Sequence, residues 1–210
     1  MEKKFKPKVP VVYHGVNTEF QPLNYIKRQE FLLSVSDIYI QKNIHTLISA
    51  FSLVREKNPG LKLKLAGKAI DRGYQAEINE AIYSANLESA VELIGEQTTK
   101  KLVHLYQSCA LFIFPSTVET FGNPLVEAMA CGTPIASSNT AAMPEILGDA
   151  AKYFDPLDVK DMANTIISIL ENENERQKLG ALALERAKLF SWQKTASQTV
   201  SIIKSVASSG

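Results

Sequence analysis

What most constrains the fold of this 210-residue chain is an alternation of two patterns. Apolar runs too short for buried helices take turns with stretches whose apolar residues recur at helical spacing. The segments at 31–35, 61–66 (where leucine alternates with lysine), 91–94, 110–114, 134–137 and 151–154 have the length of strands. Between them, Ile44, Leu47, Ile48 and Phe51 mark a helix closed by Pro59 and Gly60, and residues 74–86 form a second. Thr98 caps a third helix through Gln107, a fourth begins at Pro124, and a short one lies near Pro144. A parallel connection must cross over a sheet face, and a helix is the usual crossover, so this order predicts a mostly parallel sheet covered on both faces. The fold class is α/β, doubly wound, with three consecutive helices at 159–170, 174–189 and 192–207. Ligands of such sheets bind outside the carboxyl ends of the strands.

Charge and composition exclude several classes. With 23 basic and 22 acidic residues the net charge is +1, so no broad surface attracts nucleic acid. Lys3, Lys4, Lys6 and Lys8 form a basic cluster, read as a solvated leader in preference to a lipid contact. No apolar run approaches the roughly 20 residues that span a bilayer, and the N-terminus has no signal-peptide pattern. Cys109 and Cys131 sit in apolar surroundings, and a reducing, cytoplasmic setting is the expectation. His14, His45 and His104 lack metal-ligand spacing, and no Asp-x-Asp pair follows a strand, so no metal or other cofactor is expected. Val9 to Tyr13 reads as a short extended run, and the polar residues 16–30, with Pro22, as a connector.

Chemistry concentrates in residues 114–148, FPSTVETFGNPLVEAMACGTPIASSNTAAMPEILG. Pro115 and Ser116 end the strand, Gly122 permits a tight backbone, Asn123 suits an N-cap, and Pro124 suits the first helical position. The helix start offers backbone N–H groups and the positive end of a dipole to a phosphate. Two carboxylates, Glu119 and Glu127, flank it. A strand, a glycine turn, a helix N-terminus and two acids together suggest a nucleotide-sugar site.

This stretch resembles the donor-binding core of the family 4, or group 1, retaining glycosyltransferases. That family carries a Pro-Ser turn, an acidic pair separated by seven residues, a helix like LVEAMACGTP and a PE-x-x-GD segment. Here these are Pro115-Ser116, Glu119 and Glu127, residues 125–134, and Pro144 to Asp149. His14 to Asn17, Lys42-Asn43 and Phe190-Ser191-Trp192 extend the likeness over nearly the whole chain. The resemblance implies the C-terminal half of a two-domain GT-B architecture. Residues 1–30 would be leader and interdomain connector, 31–190 a Rossmann-like nucleotide-sugar-binding domain, and 191–210 a helix crossing to an absent N-terminal acceptor-binding domain. It implies transfer of a hexose from a UDP- or GDP-sugar to a glycan, lipid-linked or small acceptor, with an isolated half inactive in transfer. The full enzyme would touch a membrane peripherally at most, on its inner face.

By the same resemblance Glu127 accepts hydrogen bonds from ribose hydroxyls, as a carboxylate can from two neighbouring donors. Its place one turn inside the helix favours the charged form. Glu119 lies beside the donor sugar, binding and positioning it, and Lys42 sets a point charge against the leaving diphosphate. The backbone N–H groups of Phe121, Gly122, Leu125 and Val126 are the candidates for holding diphosphate and sugar. Glu96 and Gln97 follow the third strand, where family members contact the base. The chain departs from the pattern at Asp37, where the family often has an arginine that an acid cannot replace against phosphate. That departure motivates an alternative, a non-catalytic nucleotide-binding or assembly module.

Overall fold

The computed structural model describes residues 10–23 and 28–208, so the lysine cluster at the N-terminus lies outside the described residues. Strand β1 (Gln29–Val35) leads through a 3-10 turn (Ile40–Lys42) into α1 (Ile44–Lys57). Next come β2 (Lys62–Ala66), α2 (Arg72–Ser84), β3 (Val91–Gly95), α3 (Thr99–Ser108) and β4 (Cys109–Phe114). Then follow α4 (Asn123–Ala130), β5 (Ile135–Ser138), α5 (Met143–Leu147) and β6 (Lys152–Phe154). Three helices close the chain: α6 (Val159–Leu170), α7 (Glu173–Ala187) and α8 (Trp192–Ala207).

All six strands run parallel in the order β3-β2-β1-β4-β5-β6. Successive side chains of a strand point to opposite faces, and each face has its own core. Leu32 of β1 and Leu111 and Ile113 of β4 pack with α1, α2 and α6. Leu33 and Val35 of β1 and Phe112 and Phe114 of β4 pack with α3, α4, α5 and α7. Both faces are covered over the central strands, which is why β4 reads as a continuous apolar run, whereas β2 alternates leucines with the half-exposed Lys62 and Lys64.

Local chemistry moves several boundaries. Helix α2 starts at Arg72, ahead of the expected residue 74, because Asp71 caps it by accepting from the Tyr74 N–H at 3.0 Å. Thr98 takes the N-cap position of α3 with extended backbone angles, but its side chain makes no capping bond. Residues 10–13 form no strand. The connector instead meets the chain's other end: the Val16 N–H donates to the Phe190 carbonyl at 3.2 Å, and the Thr195 hydroxyl to the Tyr13 carbonyl at 2.7 Å. Beyond that anchor α8 buries none of its residues, and the stripe of Trp192, Ala196, Val200 and Ile203 faces solvent.

Candidate functional site

Strand order reverses between β1 and β4, so the connections leaving them diverge and a crevice opens at their carboxyl ends. A cleft of about 330 Å³ occupies that position, lined by Ser36, Asp37, Lys42, Gln97, Asn123 and Glu127 among others. A larger cavity, of about 960 Å³, lies at the amino ends of the strands, beside Arg28 and Arg176. Size favours the second and chemistry the first. Arg28 already donates to the Cys109 and Gly132 carbonyls at 3.0 and 2.7 Å, and Arg176 to the Leu170 carbonyl. The helix start at that end carries Glu173 and Glu175, which repel anions.

The start of α4 is built around Gly122, whose φ of 84° puts it in the left-handed region. The positive φ is what favours glycine here; an added Cβ would also come within 2.9 Å of Leu125 Cδ1, which would have to shift. Gly122, not Asn123, is the N-cap, and the helix therefore begins one residue earlier than the proline suggested. The cause is backbone: Gly122, in the left-handed region, makes the turn. The Leu125 N–H donates to the Gly122 carbonyl at 2.9 Å. A local 3-10 bond thus engages the Leu125 N–H, one of the backbone donors expected to face a phosphate.

Lys42 and Glu119, distant in sequence, form an ion pair with both side chains largely buried. Four hydrogen bonds set it up. The Asn43 side chain donates to the Pro115 carbonyl at 3.1 Å and to the Pro156 carbonyl at 2.7 Å, and its Oδ1 accepts from the Thr46 hydroxyl at 2.6 Å. The Thr117 N–H donates to the Gln41 carbonyl at 2.9 Å. These bonds stitch the loop after β1 to the loop after β4, which is what brings the ammonium to the carboxylate. Lys42 Nζ also lies 5.2 Å from the Tyr39 ring centroid. Burial alone would push the Lys42 ammonium toward neutrality, but Glu119 and Tyr39 outweigh it and raise its pKa above the ordinary value.

Glu127 sits at the cleft wall, one turn into α4. The Tyr106 hydroxyl, on α3, donates to its Oε2 at 2.9 Å. Burial raises the Glu127 pKa, and the Tyr106 bond only partly offsets this. The helix dipole was expected to favour the charged form, and desolvation overrides it.

The other candidates divide. Phe121 does not line the cleft; it packs with Tyr13, His14 and Phe190, at centroid distances of 6.3, 5.2 and 5.7 Å. Leu125 and Val126 bury their side chains in the core beneath α4. Gln97 and Glu96 do line the cleft, and the Gln97 amide donates back to the Ile94 carbonyl. Asp37 is exposed at the cleft and accepts from the Lys68 N–H at 3.0 Å, which fixes its carboxylate where anions would approach. Gly67 lets these strands' ends draw together, since any Cβ there would run into the Ser36 carbonyl oxygen. Among the described residues, no group of three or more His, Cys, Asp or Glu could hold a metal ion, and no helix is long and apolar enough to cross a membrane.

With this geometry in hand, the family is decided by comparison. Residues 16–186 match the family model described as glycosyl transferases group 1. The chain belongs to that family. It is 32% identical over 178 residues to the O-antigen chain mannosyltransferase B of Escherichia coli, covering 84% of this chain and 46% of that protein. Sucrose-phosphate synthase from Thermosynechococcus elongatus superimposes with a TM-score of 0.82 at 25% identity, over 94% of this chain and 52% of the other. Anabaena HepE, solved in complex with UDP and glucose, superimposes with a TM-score of 0.78 at 24% identity, over 85% of this chain and 49% of the other. This chain therefore spans about half the length of these proteins. It is a GT-B-type glycosyltransferase domain, the C-terminal, Rossmann-like one.

Proposed function

We propose that this domain binds the nucleotide-sugar donor of a retaining hexosyltransferase, with UDP- or GDP-sugar as donor and no metal. The observation that carries the reading is convergence. Glu127 and the N-terminus of α4 line one switch-point cleft together with Lys42, which reaches it from the loop after β1 and is paired with Glu119 of the loop after β4. Each has a task in that cleft. Glu127 accepts from the ribose diol, and Lys42, held charged, faces the diphosphate. The α4 N-terminus adds fixed partial positive charge that stabilises the departing nucleotide without reorganisation. Glu119 exchanges its partner from Lys42 to sugar hydroxyls as donor arrives, which positions the sugar.

The name of the Escherichia coli relative favours mannose as the hexose. The acceptor would be held by an N-terminal domain, with the solvent-facing stripe of α8 and the connector beside it directed toward that partner. Transfer by this chain alone is then negligible, and peripheral membrane contact, if the acceptor is lipid-linked, belongs to the whole protein. Asp37 in the cleft favours a second reading, a nucleotide-binding module without transferase chemistry.

Calorimetric titration with UDP and GDP, alongside Glu127→Ala, tests the proposal. Binding of one nucleotide that the variant loses supports it and names the donor class. Equal binding by the variant, or no binding of either nucleotide by the folded chain, refutes it.

A further inference from the structure

Tyr106 is fully buried, yet among the described residues its hydroxyl is the one side-chain hydrogen-bond donor to Glu127. Its position is unusually determined. The ring meets Phe20 and Phe112 edge-on, at centroid distances of 6.0 and 5.3 Å, and its carbonyl accepts from the Thr133 hydroxyl at 2.7 Å. A tyrosine hydroxyl has one proton to donate, and here it is aimed at Oε2, at 2.9 Å. Oε1 of the same carboxylate is left for other donors, and Glu127 lines the cleft.

We infer that Tyr106 is a positioning residue for the nucleotide: it fixes one oxygen of Glu127 from behind so that the carboxylate meets the ribose diol in a set orientation. The inference rests on the reading of Glu127 as the ribose acceptor. The hydroxyl does two things there. It locks the rotamer, so less freedom is lost when the diol binds. It also favours the ionised carboxylate, because it can donate to that form and burial works against it. Other ionisable groups near Glu127 are Cys131 at the end of α4, and Asp37, Lys42 and Glu96 around the cleft. The largest influences on Glu127 are burial, which raises its pKa, and the Tyr106 bond, which lowers it.

The test measures UDP and GDP affinity of the full chain from mildly acidic to mildly alkaline pH. Tyr106→Phe, which keeps the ring, weakens binding about tenfold at neutral pH. It also moves the acidic limb of the binding profile to higher pH, since Glu127 then ionises less readily. In a Glu127→Gln background the same substitution changes neither affinity nor profile. A limb that stays in place overturns the inference, because a purely structural tyrosine would change stability without moving it. Should Tyr106→Phe fail to fold, NMR of the unaltered chain decides. The buried hydroxyl proton of Tyr106 shifts when the nucleotide saturates the site, and an indifferent resonance overturns the inference. Undiminished nucleotide binding by Glu127→Ala, or no binding by the unaltered chain, instead overturns the ribose reading beneath it.

Discussion

Asn43 is the residue whose loss should be felt most widely. It is 1% exposed and makes three hydrogen bonds, to Pro115, Pro156 and Thr46. Its φ of 55° is left-handed, where asparagine is tolerated and alanine is strained. Asn43→Ala removes the bonds and leaves two carbonyls and a hydroxyl buried without partners, at about 1 kcal/mol or more each. The backbone strain adds about 1 kcal/mol. The expected loss is thus about 3–5 kcal/mol, or a melting temperature lower by about 6–20 °C for a domain of this size. Urea unfolding followed by circular dichroism measures the first quantity. Asn43→Gly separates the two causes, because glycine restores the backbone but not the bonds, and should recover about 1 kcal/mol. Since Asn43 joins the loop bearing Lys42 to the loop bearing Glu119, nucleotide affinity falls in both variants. A loss below about 1 kcal/mol, with nucleotide binding intact, would refute the claim that this side chain holds the two loops together.

Other perturbations follow from the same geometry. The Lys42 pKa is raised in the folded chain, so its ion pair stabilises fully below the unfolded lysine's pKa, and that contribution disappears as pH rises through the folded value. Stability of the unaltered chain minus that of Lys42→Met should therefore shrink only in strongly alkaline solution, and a difference already gone at neutral pH would contradict the pairing. Glu127 has the opposite consequence: its raised acid pKa means the folded state holds its proton more tightly, so stability falls as pH rises through that range. Glu127→Gln should melt higher at neutral pH while losing nucleotide affinity, and a lower melting temperature would count against burial as the dominant influence. Asp37→Arg replaces a repulsive charge at the cleft with an attractive one and should tighten UDP or GDP binding about tenfold, a gain that falls with added salt. Unchanged affinity would mean the diphosphate lies elsewhere.

The order of strands and helices was legible because each strand is a separate short segment, apolar throughout as in β4 or alternating as in β2, and each helix carries its own periodicity. Helices α6 and α8 run over the residues their sequence pattern marks, Val159–Leu170 and Trp192–Ala207. The start of α4 was misplaced by one residue because Asn-Pro is a good helix opening by composition, whereas the positive φ of Gly122 is a property of the folded backbone. Glu119, Lys42 and Glu127 stood out as charged residues after strands. Their partners did not. Tyr106 looks like one more apolar position on α3, and Asn43 like one more polar turn residue. Their importance lies in what they meet from distant segments, Glu127 across 21 residues and Pro156 across 113. No local pattern encodes such contacts. The competition between helix dipole and burial at Glu127 likewise depends on how deeply α4 packs, which the sequence does not state.

The most direct measurement of the central claim is a crystal structure of the chain with UDP or GDP bound. The account predicts the ribose hydroxyls on the Glu127 carboxylate, the phosphates between Lys42 and the start of α4, and the base toward Glu96 and Gln97. Nucleotide in the larger cavity beside Arg28 and Arg176, or in the switch-point cleft with its ribose turned away from Glu127, would contradict it.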